Sequence, residues 1–266
     1  MLAAKDACTV SGNVFKSGVA KMPGAMVITR TPLRARSRAM GSVIPTTPPL
    51  APITAKIRKE NVRGPFAVRR SIAALGYQET INFSFVSAQW ESELMANPDP
   101  VKLVNPIASN MGVMRSSLIG SLLQVVKFNL DRRAERVRVF EIGRVFRKNA
   151  QTPNSDITVE GFDQPIHIAA IAVGPLVPLQ WAATDNDADF FDVKADLQAL
   201  LSPLEAQFHP AEHPALHPGR CAAVTLRGQT IGHIGELHPK HRQSWGLVQA
   251  PVLFELTLDP VLAVDI

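Results

Sequence analysis

The residues of this 266-residue chain that first suggest chemistry are its histidines. Six of the seven lie between His209 and His241, and His209, His213 and His217 recur at every fourth position in HPAEHPALHPGR. On a helix that spacing would put three imidazoles on one face, where they could share a zinc ion. Each of the three is followed by proline, at Pro210, Pro214 and Pro218. Proline lacks the amide donor that a helix interior needs, and it drives the preceding residue toward extended geometry. Cys221 is the one cysteine nearby, and no C-x-x-C pair accompanies it. The expectation is a proline-punctuated connection entering a strand at 220–228, with no metal bound.

Other candidates for chemistry are sparse. The chain has no G-x-x-x-x-G-K-[ST] loop and no G-x-S-x-G elbow. Asp185, Asp187 and Asp189 have the alternation of a calcium loop but lack its glycine and its closing glutamate. A helix start favoured by the helix dipole is the better reading of these acids. Arg115 precedes a strongly apolar segment, where a charge needs a partner, and Glu141 is the expected one. Phosphate binding is the alternative for Arg115.

The elements that would position these groups follow from periodicity. Helices are expected over 53–63 and 66–77, with Pro65 in a first turn and Gly76 as a C-terminal cap. The stretch 78–87 alternates Thr80, Asn82 and Ser84 with Ile81, Phe83 and Phe85, which predicts a half-buried strand. A short helix at 88–95, a strand and loop turned at Asn105-Pro106, and a long helix at 117–133 capped by Ser117 come next. The last is apolar over so wide an arc that contact with a sheet on one side and a partner on the other is expected. Strands are predicted at 136–146, with a turn at Gly143, and at 166–174. A helix at 189–204, strands at 221–228 and 229–237 around a Gly228 turn, a small helix at 239–246 and a strand at 251–259 complete the chain. Hairpins separated by helices indicate an α+β fold with an antiparallel β-sheet flanked by helices.

Composition sets the frame. At 46% hydrophobic residues the chain can bury a sizeable core. Two cysteines imply no disulfide framework and suit a reducing cytoplasm. No apolar run has membrane-spanning length, and no signal peptide is evident. Residues 1–70 hold 13 lysines and arginines against 2 acids, while 71–266 hold 15 against 21, so the net charge of +5 divides into +11 and −6. Residues 1–44 read as a basic, poorly ordered leader, with RNA contact as the weaker alternative. Residues 45–52 read as a proline-rich linker, and 53–266 as the folded body.

Six segments, in this order and spacing, resemble the catalytic-like core of the beta subunit of bacterial phenylalanyl-tRNA synthetase. They are LGYQETINFSF (75–85), NPIASNMGVMRSSLIGSLLQVVKFNLDR (105–132), VFEIGRVF (139–146), FFDVKADLQALL (190–201), HPGRCAAV (217–224) and IGHIGELHPK (231–240). The resemblance implies a class II aminoacyl-tRNA synthetase-like core that has lost the chemistry. The alpha subunit would use ATP and magnesium to attach phenylalanine to tRNA, the beta core would pack on it, and tRNA would be met only in the complete complex. Alone the chain would be inactive, bind no cofactor, and expose apolar surface able to drive self-association.

The resemblance makes Asn105, Pro106, Arg115, Asn129, Glu141, Gly143, Gly219 and Gly235 structural or interface candidates, with the two late glycines allowing close turns around a hairpin. It makes Arg147 a vestigial phosphate-site candidate and supplies no catalytic residue. The patterns of the family's editing, tRNA-binding-like and anticodon-binding domains do not occur, and residues 1–44 match nothing in it, so the chain reads as a subdomain-sized piece. The competing expectation is a free-standing class II-like domain that binds a nucleotide or an amino acid.

Overall fold

The computed structural model describes residues 64–155, 158–181 and 186–263, together with the backbone of Met26–Val27. The linker at 45–52, the helix expected over 53–63 and the rest of the leader lie outside the described residues. The elements are β1 (Met26–Val27), α1 (Pro65–Ala74), β2 (Gln78–Ile81), β3 (Phe85–Val86), α2 (Ala88–Met95), β4 (Val113–Met114) and α3 (Ile119–Leu130). They continue with β5 (Val137–Arg144), β6 (Arg147–Lys148), β7 (Phe162–Asp163), β8 (Ile166–Val173), α4 (Phe190–Leu201) and β9 (Ala206–Pro210). The last are β10 (Leu216–Leu226), β11 (Gln229–Leu237), α5 (Pro239–Ser244), β12 (Val252–Thr257) and α6 (Asp259–Leu262).

Among the described residues one sheet runs in the order β1-β2-β5-β8-β12-β11-β10-β9. Its pairs are antiparallel except β2 with β5, which is parallel, so the expected antiparallel sheet is mixed at this one joint. Period-2 burial on both faces builds two cores. Phe140, Ala170, Phe254 and Ile234 face α1 and α4, which bury Val68, Ile72, Val193 and Leu197. Val139, Ile171 and Leu253 face the other way, against Leu122, Leu123 and Val126 of α3. Trp90 and Leu94 of α2, with Trp245, pack into that second core as well. The second flank expected of a partner for α3 is therefore covered largely by the chain itself.

Local chemistry explains the boundaries. Pro65 occupies the first turn of α1, and Gly76 follows its end at φ 85°. Asp189 caps α4 by accepting from the amides of Phe191 and Asp192, and Asp192 returns a bond to the Asp189 amide, a complete capping box. The β10–β11 hairpin turns on Arg227 and Gly228, both at positive φ (52° and 81°), the two-residue geometry that matches strand twist. Ser117 does not cap α3 as expected. The helix starts two residues later with Leu118 as its N-cap, although the Ser117 hydroxyl accepts from the Ile119 amide. No turn occurs at Gly143, which lies inside β5.

Two features departed from the pattern read in the sequence. The alternating stretch 78–87 breaks into β2 and β3, and its polar side faces inward: Thr80 is buried, while Ile81 and Phe83 are each 45% exposed. The proline-punctuated connection expected from His209 to the strand start at 220 is largely strand, with His209 and Pro210 in β9 and β10 already begun at Leu216. No helix among the described residues is long and apolar enough to cross a membrane.

Replacing Asp189 with alanine removes the acceptor for two amides at the start of α4. Urea unfolding of D189A is expected to show a loss of about 1 kcal/mol with an unchanged slope against denaturant.

Candidate functional site

Polar groups converge on the sheet face that carries α3. Strand register sets Glu141, Ala169, Glu255 and His233 side by side across β5, β8, β12 and β11, so their side chains share one face. Above this row runs the segment Arg115-Ser116-Ser117, which is buried throughout. Each of its three side chains is engaged by a different carboxylate. Arg115 pairs with Glu141 at 2.8 Å. Ser116 donates its hydroxyl (2.5 Å) and its amide (2.9 Å) to Glu91 of α2. Ser117 donates to Glu255 at 2.5 Å, and the Leu118 amide adds a second bond to Glu255 at 3.0 Å.

The carboxylates are satisfied from their other sides too. Asn82 donates to Glu141 at 2.7 Å, which explains why the polar side of 78–87 turns inward. Asn97 donates to Glu91 at 2.9 Å. His167 reaches Glu255 through Nδ1 at 2.8 Å, and its Nε2 lies 3.3 Å from the Thr257 hydroxyl. Burial pushes the Glu255 carboxyl up, but the bonds from His167, Ser117 and Leu118 outweigh it and hold the group below its ordinary value. Gly143 is required by this packing: a Cβ there would lie 2.4 Å from an Arg115 guanidinium nitrogen. Its role is close approach, in place of the expected turn.

The remaining sequence candidates are distributed elsewhere. Asn105 and Pro106 sit in an exposed loop with Val104 (93% exposed) and Ile107 (74%). Asn129 is buried in α3 and donates to the Val125 carbonyl. Gly219 and Gly235 make no turn. Gly235 permits close strand contact, since a Cβ would meet the Arg220 carbonyl at 2.7 Å, whereas Gly219 has no contact that tight. Arg147 is exposed on β6 and donates to the Ser116 carbonyl at 3.3 Å. The space bordered by Arg147, His167, His213, His233 and Glu255 is about 180 Å³. Small-molecule sites usually span ~300–1,000 Å³. A second hollow of about 360 Å³ adjoins Arg147 between Asn97, Asp99 and Lys148, and Glu255, the carboxylate that borders the first, is already bonded within the chain.

The histidine-proline repeats share one local bond, in a turn at His213, inside β10 at His217 and at the N-cap of α5 at His238. In His213-Pro214-Ala215, His217-Pro218-Gly219 and His238-Pro239-Lys240 the histidine Nδ1 accepts the amide two residues on, at 3.2, 3.0 and 3.0 Å. This is the side-chain-to-amide bond that Asn or Asp makes to its own backbone, with an imidazole as acceptor. It fixes the proton of neutral His213 on Nε2. His209 lies exposed on β9 outside this pattern. Among the described residues no cluster of three or more His, Cys, Asp or Glu could hold a metal. Burial, with His233 beside it at 5.1 Å between ring centres, drives the His213 pKa down to about 4. Ser116, Glu91 and Glu255 are the site residues that sequence reasoning missed, while Ser117 was read there only as a helix cap and His213 only as a rejected metal ligand.

Two measurements probe this site. Arg115→Met leaves Glu141 buried without its cation and is expected to cost about 3–5 kcal/mol, with most of it recovered in the Arg115→Met/Glu141→Gln double variant. His213 titrates near 6.5 when unfolded and near 4 when folded, so its contribution is intact above pH 6.5 and is lost as pH falls toward 4. His213→Asn preserves the turn acceptor. Denaturation at pH 7 and pH 4.5 is expected to show a smaller acid loss in this variant, by up to about 3 kcal/mol.

Comparison with known proteins agrees with this architecture. The family model described as the phenylalanyl tRNA synthetase beta chain CLM domain matches residues 44–258. The phenylalanine--tRNA ligase beta subunit of Burkholderia pseudomallei (strain K96243) is 50% identical over 220 residues, covering 83% of this chain and 27% of that protein. The corresponding subunit of Chromobacterium violaceum is 44% identical over 220 residues, with the same two coverages. The chain thus spans about a quarter of the length of these curated relatives. Among solved structures, a pyrrolysyl tRNA synthetase from Desulfitobacterium hafniense shares the fold, with a TM-score of 0.52 at 12% identity over 79% of this chain and 70% of that one. The chain belongs to the phenylalanyl-tRNA synthetase beta chain CLM domain family.

Proposed function

We propose that this chain is a non-catalytic synthetase-like core that packs on a catalytic alpha subunit in the cytoplasmic complex that attaches phenylalanine to tRNA. One observation carries this reading. On the sheet face where a working core would hold its substrates, Glu91, Glu141 and Glu255 are taken up by the Arg115-Ser116-Ser117 segment and its neighbours. What is left is a space of about 180 Å³ with Arg147 at its edge and a second of about 360 Å³ on the other side of Arg147, where Lys148 is held by Asp99. A lone exposed arginine is a poor match for a triphosphate, which is normally held by several cations. ATP and magnesium then belong to the catalytic subunit, and tRNA is met only in the assembled complex. The names of the similar proteins, beta subunits of phenylalanine--tRNA ligase, support the same assignment.

The folded body extends over 53–266 in this reading, after a leader (1–44) and linker (45–52). The loop with Asn105 and Pro106 supplies part of the subunit contact through exposed Val104 and Ile107, with Ile81 and Phe83 as a second apolar patch. The same surfaces would drive self-association of the isolated chain.

The test mixes the chain with the alpha subunit and follows elution volume by light scattering. A stable complex is expected, weakened by Ile107→Asp, and ATP with magnesium should leave the melting temperature of the chain alone unchanged. A nucleotide at 100 times its Kd would add about 2.7 kcal/mol, so a clear upward shift, or no complex at micromolar concentrations, overturns the proposal and favours a free-standing nucleotide-binding domain.

A further inference from the structure

A groove of about 430 Å³ lies on the outer side of the second core, between α2, α3 and the end of α5. Its walls are aromatic: Trp90 and Trp245 meet with ring centres 5.1 Å apart at 44°, and Phe128 stands opposite on α3. All three rings are half-buried, so each keeps one surface toward solvent. Two carboxylates border the groove. Asp131 is engaged by Lys127 at 3.0 Å. Glu93 accepts from Gln89 at 2.8 Å and has no ion-pair partner among the described residues. The groove also lies along the C-terminal half of α3, where the helix dipole is negative. Aromatic faces, a carboxylate without a cation and a helix C-terminus all favour positive charge.

The chain already shows this preference. The Arg132 guanidinium sits 3.3 Å from the centre of the Phe128 ring and donates to the Phe128 carbonyl at 2.9 Å. Among the described residues the indole pair has no such occupant, although it borders the same groove. With centres 5.1 Å apart the two rings already pack on each other, so a flat group would lie against their solvent side at the groove. A guanidinium is planar, weakly hydrated and able to stack while its edge donates to a carboxylate. An ammonium is compact and strongly hydrated, and does this less well.

We propose that the Trp90–Trp245 groove is a docking point for an arginine side chain presented by a partner polypeptide, with the indoles stacking on the guanidinium and Glu93 receiving its N–H groups. The inference is independent of the lost nucleotide grip, since the groove lies across α3 from the Glu255 row.

The chain has three tryptophans, so the test has an internal reference: Trp181 is fully exposed and remote in sequence from the groove. The intact chain is titrated with a capped glycine-flanked arginine peptide while the three indole N–H signals are followed by NMR. The signals of Trp90 and Trp245 are expected to move saturably and that of Trp181 to stay fixed. The matching lysine peptide should bind several-fold more weakly, and the citrulline peptide, which keeps the shape without the charge, should produce no shift. Glu93→Gln, an exposed change that leaves the fold intact, should weaken the arginine peptide several-fold. Equal binding of the citrulline peptide, equal movement of Trp181, or no movement at all overturns the proposal.

Discussion

Three consecutive side chains, Arg115, Ser116 and Ser117, hold three buried carboxylates that belong to three different elements: Glu141 of β5, Glu91 of α2 and Glu255 of β12. A carboxylate removed from water must be hydrogen-bonded or paired, or it is expelled or protonated. Each of the three carries several bonds, and Glu255 keeps its charge despite complete burial. The segment therefore fixes where α3 begins, how α2 lies on it, and which sheet face both helices cover. Apolar packing around Leu122, Leu123 and Val126 supplies the bulk of the driving force there. It does not specify direction as hydrogen bonds do.

The same contacts occupy the polar groups of that face. A site able to grip a substrate keeps donors, acceptors and charge free and oriented toward empty space. Here the donors are turned onto the chain's own acids, and Gly143 exists to let the Arg115 guanidinium come close. His167 is shared between Glu255 and Thr257, and His213 is tied into a turn. The polar groups of this face are bonded to one another, and exposed apolar side chains such as Val104 and Ile107 lie on the outside.

How much of this could be read in the amino-acid order depended on range. The β10–β11 hairpin was legible because alternation and a positive-φ turn at Arg227-Gly228 are local signals. The capping box at Asp189 and the first-turn Pro65 were legible for the same reason. The inward turn of Thr80 and Asn82 was not. Alternation shows that a strand has two faces, but Glu141, about sixty positions away, decides which one is buried. Strand β9 was hidden by the prolines at either end of 209–218, which read as a connection. The pairing of Arg115 with Glu141 was anticipated from the cost of a lone charge, whereas the roles of Ser116 and Ser117 were invisible because serines carry no charge to account for.

The bond between Ser117 and Glu255 spans 138 positions, and β12 slots between β8 and β11, two strands made well before it. On a ribosome, the earlier strands would emerge with a gap in the middle of the sheet. The first turn of α3 would wait for its acceptor until β12 had been made. Strand β12 is thus a keystone: a nascent chain halted before Val252 would present an incomplete sheet to whatever chaperone meets it.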